Sequence, residues 1–91
     1  MSRDNPRLTV DKEPGWMGNH PAVEGRSILP VDGLTVVSWS PGGPGTKPTQ
    51  VHLLVPVGKE GITIAVRLKS REATQAIIDA LANHRDHVWE P

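Results

Sequence analysis

Two runs of alternation, four residues apart, constrain this chain more than anything else in it. From Gln50 to Val57, the apolar residues Val51, Leu53, Val55 and Val57 fall at every second position. From Ile62 to Lys69, Ile62, Ile64, Val66 and Leu68 do the same. A period of two marks a strand with one face buried. The four residues between the runs, Gly58-Lys59-Glu60-Gly61, suit a hairpin connection, so residues 50–69 are expected to form two antiparallel strands.

The flanking segments extend this unit. Leu34 to Ser40 is rich in apolar and β-branched residues, stops at Pro41 and reads as a further strand. The intervening Pro41-Gly42-Gly43-Pro44-Gly45-Thr46-Lys47-Pro48 reads as a flexible loop. Pro56 has no N–H to offer a ladder, so it must point away from the 62–69 strand. The upstream strand can then cover only the earlier part of residues 50–57. These constraints predict a three-stranded antiparallel meander.

A helix is expected to follow. Ser70 is a suitable N-cap, and Glu72 lies in the first turn, where the helix dipole favours an anion. At 100° per residue, Ala73, Ala76, Ile77, Ala80, Leu81, His84 and Val88 form a stripe about 140° wide. The pattern predicts that this stripe packs on the Val51/Ile62 face, with Ile77 and Leu81 supplying most of the burial.

Residues 1–33 differ in character. Four prolines and four glycines are spread among apolar residues that keep no sustained period. Arg7 to Asp11 suits a short strand, with turns at Pro14-Gly15 and Asp32-Gly33. Otherwise the segment reads as an irregular Pro/Gly-rich arm. Trp16-Met17 and Ile28-Leu29 are costly to leave in water, so parts of the arm are expected to lie across the folded region. The expected class is α+β: an arm over residues 1–33, then a small β-β-β-α domain over residues 34–91 in which one C-terminal helix packs on one sheet face.

Composition limits the functions open to such a chain. Ninety-one residues suffice for one domain. Ten basic residues balance ten acidic ones, without the positive excess usual in nucleic-acid binders. The absence of cysteine excludes disulfides and thiolate zinc sites. No apolar run reaches the roughly 18 residues that span a bilayer, and residues 1–20 lack the apolar stretch of a signal peptide. A cytoplasmic chain without a membrane partner is therefore expected. No Ser/His/Asp frame and no carboxylate pair on an apolar strand suggests catalysis, so the expectation is a non-enzyme without a cofactor.

The most informative residues are those this core leaves over. If the helix continues to Trp89, then Ile78, Ala82, Arg85 and Trp89 align at spacings of four, three and four, outside the core stripe. Trp and Arg are enriched where proteins bind one another. Leu54 points away from the Val51 row, and the upstream strand is apolar on both sides, with Leu34 and Val36 opposing Val37 and Trp39. One helix cannot cover all of this. The expected contact surface is therefore the Ile78/Ala82/Arg85/Trp89 strip with the back of the sheet around Val36 and Leu54. Its partner would be another protein or, more simply, a second copy in a homodimer. Alternatively, the arm covers the sheet and Trp89 curls back over the helix end.

Other motifs offer alternatives. Arg67, Lys69 and Arg71 alternate into the helix near Lys59 and, with Lys47 of the 41–48 loop, outline a basic strip for a nucleotide or nucleic acid. His84 and His87 are neighbours on a helix and could share a metal if His20 and His52 joined them. Residues 42–47 fail as a phosphate loop, because Thr46 precedes Lys47 and Pro48 stands where a helix should start. The His84-Arg85-Asp86 trio lacks every other part of a kinase site. No motif points to one family. In its general character, short and rich in Gly, Pro, Arg and Val, without Cys, and with a hairpin followed by a Trp-ended helix, the chain resembles small proteins of actinobacteria and their phages. That resemblance implies an accessory or host-interaction role.

Overall fold

The computed structural model describes residues 8–58 and 61–90. Arg7 and the expected hairpin tip, Lys59-Glu60, lie outside the described residues. The fold is α+β, with five strands: β1 (Leu8–Pro14), β2 (Val23–Ile28), β3 (Thr35–Trp39), β4 (Gln50–Val57) and β5 (Ile62–Leu68), followed by helix α1 (Arg71–Val88). They form one antiparallel sheet in the order β1-β5-β4-β3-β2.

The middle of the sheet follows the alternation. Val57 and Ile62 close the β4–β5 hairpin. Gly58 (φ 64°) and Gly61 (φ 73°) take left-handed conformations in which a side chain would be strained. β3 pairs with β4 from Trp39↔Gln50 to Thr35↔Leu54 and stops before Pro56, as the missing N–H requires.

The sheet has five strands and not three. Both outer strands come from residues 1–33: β1 carries the short strand expected at Arg7 to Asp11 on to Pro14, whereas β2 lies in what was expected to be irregular arm. β1 pairs with β5 along its whole length, from Leu8↔Leu68 to Pro14↔Ile62. β2 pairs with β3 and carries a bulge between Val23 and Gly25. A 3-10 helix, Gly15–Asn19, and the following turn carry the chain from one edge of the sheet to the other. Periodicity showed β1 only in part and β2 not at all, for a physical reason. Each lies at an edge, where polar residues, Pro14 and a bulge are tolerated and even protect against further pairing.

The two faces of the sheet are treated very differently. Cross-strand partners in an antiparallel sheet share a face. On one face Val37, His52, Leu54, Thr63 and Ala65 are all buried. Val37, Leu54 and Ala65 form the core cluster, with Val23 packed against it and Gly18 of the 3-10 helix close to Leu54. The Gly15 N–H donates to the Gly61 carbonyl, and the Ser40 N–H donates to the Ala22 carbonyl (2.9 Å), so both ends of the crossing segment are tied to the sheet.

The opposite face holds Val51, Leu53, Val55, Val57, Ile62, Ile64 and Val66, the rows expected to form the core. Leu68, which continues the Ile62 row, is buried at the helix root; of the others, Val55 and Val57 are exposed and the rest are half-buried. The core therefore lies on the other face, because the crossing segment covers that face and nothing of comparable extent covers this one.

Helix α1 begins as expected: the Ser70 Oγ accepts from the Ala73 N–H at 3.0 Å, with Glu72 in the first turn. It packs on the sheet through its root, where Ala73 is the one buried helical residue among those described. Leu68 of β5 is buried beside it. Leu81, expected to anchor the helix to the sheet, is 67% exposed, so the stripe does not lie along the sheet. A radius of gyration of 14.2 Å, against about 12 Å for a compact chain of this length, agrees with a projecting helix.

This arrangement predicts an order of stability effects opposite to the one alternation suggests. In dilute solution, urea unfolding should show Leu54→Ala costing about 2–4 kcal/mol, as expected for a buried leucine. Leu81→Ala should cost less than about 0.5 kcal/mol, as on an exposed surface.

Candidate interaction surface

The helix root is firmly held. Besides the Ser70 cap, the Thr74 hydroxyl donates to the Ser70 carbonyl at 2.9 Å, and Leu68 and Ala73 are buried at the joint. A cleft of about 390 Å³ lies beside the root, lined by Ser38, Val51 and Leu68 of the sheet and by Arg71, Thr74 and Gln75 of the helix. Beyond the root α1 is mostly in solvent. Ile78 is 52% and Trp89 is 72% exposed, and Leu81 and Val88 are similarly open.

Of the residues singled out from sequence, Ile78, Ala82, Arg85 and Trp89 come together. With Leu81, His84 and Val88 they line one shallow, mostly apolar depression. The Trp89 N–H donates to the Arg85 carbonyl at 2.8 Å and closes the helix, but its ring does not curl back over the helix end. Arg85 is turned toward its neighbour Asp86, donating from Nε at 2.8 Å and from a terminal nitrogen at 3.1 Å.

The two sheet residues expected to complete that surface separate. Leu54 is buried in the core and unavailable to a partner. Val36 is on the opposite, open face, in a row running Val36–Leu53–Val66–Val10 across four strands. Val10, at the sheet edge, is 58% exposed. The row was hard to find in the sequence, since β1 was expected to be only a short strand in an arm and the Val51 face was already assigned to the core.

The covered face carries a feature that residue types alone did not suggest. Four rings stack in a column: Trp16 on His20 (centroids 6.0 Å apart), His20 on Trp39 (4.9 Å) and Trp39 on His52 (4.8 Å). The His20 Nδ1 accepts from the Ala22 N–H at 3.0 Å. The His52 Nε2 and the Gln50 side-chain amide are hydrogen-bonded at 2.8 Å. Burial, with a smaller contribution from the nearby Lys69 charge, lowers the His52 pKa to about 4.

The basic strip is partly neutralised. Arg67 donates to the Asp11 carboxylate at 3.1 Å and pairs with Glu13, both on β1. Lys69 follows on the same face, Arg71 opens the helix, and Lys47 sits in the loop. That loop is not the loose tether expected. The Ser40 hydroxyl donates to the Thr46 carbonyl at 3.0 Å, the Thr46 hydroxyl donates to the Gly43 carbonyl at 2.7 Å, and together they close it into compact turns. The histidines are divided between two places: His20 and His52 lie in the ring column, while His84 and His87 are exposed on α1. Among the described residues, no group of three or more His, Asp or Glu side chains is arranged to hold a metal ion. No helix among them is long and apolar enough to cross a membrane.

No protein-family model, curated protein or solved structure matches the chain.

The His52 environment predicts an acid-sensitive fold. Its pKa is about 6.5 when unfolded and about 4 when folded, so the unfolded chain takes up the proton first. The corresponding stability is present above pH 6.5 and is lost as the pH falls toward 4, by up to about 3 kcal/mol. Urea midpoints measured across this range should decline in the native chain and much less in His52→Phe, which keeps a ring in the stack but cannot titrate.

Proposed function

We propose that this chain is a small, non-enzymatic protein-interaction module that works as a homodimer, with the Ile78/Ala82/Arg85/Trp89 strip as its contact surface. The single observation that carries this reading is the exposure of Ile78, Leu81, Val88 and Trp89 on a helix whose root is capped and packed. A large apolar patch on a chain this small favours association, because covering it removes apolar surface from water. Trp and Arg side by side give the patch the residue types that dominate binding energies. A core built on Val37, Leu54 and Ala65 also supplies limited stability by itself, so a second copy would add what so small a chain lacks. An accessory role, acting through binding and not through chemistry, fits such a module.

Sedimentation equilibrium tests the proposal. The native chain should sediment as a dimer, and Trp89→Ala should weaken dimerisation roughly 10- to 30-fold, the effect of losing one hot-spot side chain. Circular dichroism should show the sheet of that variant intact. A native chain that stays monomeric at high concentration, or a Trp89→Ala variant that associates as tightly as the native chain, would overturn the proposal.

A further inference from the structure

Among the described residues, the helix strip is one of two extended apolar surfaces that bear on self-association. The other is the sheet face carrying the Val36–Leu53–Val66–Val10 row and, beside it, the Val55–Ile64 and Val57–Ile62 pairs. We infer that the two surfaces are halves of one interface: α1 of one copy lies on the open sheet face of a second copy, and the second copy's helix lies on the first. This rests on the self-association proposed above and specifies its geometry.

Size supports the match. The exposed stripe from Ile78 to Trp89 is about 17 Å long at 1.5 Å per residue. Four strands spaced about 4.8 Å apart give the open face a width of about 14 Å, and with the Val51–Leu68 end taken by the helix root, Leu53 to Val57 leaves about 13 Å along β4. A helix of this length therefore fits when it crosses the free part of the face along its diagonal, about 19 Å. Covering the exposed parts of Ile78, Leu81, Val88 and Trp89 together with Val10, Val55 and Val57, twice over by symmetry, removes on the order of 1,200 Å² from water, the lower end for a stable interface.

The chain's own helix is poorly placed to do this. Its direction is set at the root by the Ser70 cap, the Thr74–Ser70 hydrogen bond and the buried Leu68 and Ala73. Only Lys69 and Ser70 join β5 to α1, so laying the helix back along its own sheet would break that packing. A second copy meets the requirement with the root intact. It supplies one helix and one open face in the same ratio, and the reciprocal contact closes on itself without leaving either surface free. Zero formal net charge leaves no long-range repulsion between copies.

The absence of cysteine makes the test direct. Leu81→Cys is introduced on the helix of one chain and Val55→Cys on the sheet of another, one of the two chains bearing a size tag. The chains are mixed at dimer-forming concentration and treated with a short bismaleimide linker. The expected product is a covalent heterodimer joining helix to sheet, at least about tenfold over linked pairs of the Leu81→Cys chain. Separately, Val55→Lys should weaken dimerisation at least about tenfold while leaving the helical signal unchanged. A dimer in which only Leu81→Cys chains link to each other, or in which Val55→Lys has no effect, would overturn the exchange and leave self-association through the helix standing. A chain carrying both cysteines that links within a monomer would overturn both.

Discussion

The stacking of Trp39 between His20 and His52 ties the N-terminal segment to the sheet, and the rest of the architecture depends on it. A five-stranded sheet of this width has two faces. The chain has one short crossing segment and one helix with which to cover them. By holding residues 15–22 over the Val37/Leu54/Ala65 side, the ring column decides which face is inside. Every later feature follows from that choice: the core is small, the opposite edges of the sheet are joined through one crossing, and the regular aliphatic rows are left facing outward.

The same column makes polar groups part of the core. His52 is almost wholly buried, and its Nε2 is hydrogen-bonded to the Gln50 side chain. A buried imidazole with a partner is tolerable when neutral and costly when charged. The ion pairs of Arg67 with Asp11 and Glu13 do related work at the β1 edge, where they tie the outer strand to β5 and remove a cation from the surface. A side chain that looks available for an anionic ligand in sequence is thus occupied by the fold itself.

The open sheet face and the projecting helix have one cause. The helix is fixed by its cap and buried root before it can turn along the sheet, so its apolar stripe stays exposed and the rows it would otherwise cover stay only partly covered. The proposed association with a second copy rests on this pair of surfaces, since a reciprocal contact would cover both at once.

Several elements were legible from residue order because their causes are local. The hairpin around Gly58 and Gly61, the short reach of β3 before Pro56, and the Ser70 cap each follow from alternation, a missing N–H or a side-chain acceptor next to the backbone it serves. The Ile78/Ala82/Arg85/Trp89 strip was legible for the same reason, because helical spacing alone aligns it. What only the tertiary structure decided was which side of each element would be buried. Alternation in β4 offers Val51, Leu53 and Val55 on one side and His52 and Leu54 on the other, and simple hydropathy favours the first. The second is inside because distant residues, Trp16, Gly18 and His20, come to lie over it. Period specifies that a strand has two faces; burial belongs to whichever face another part of the chain reaches.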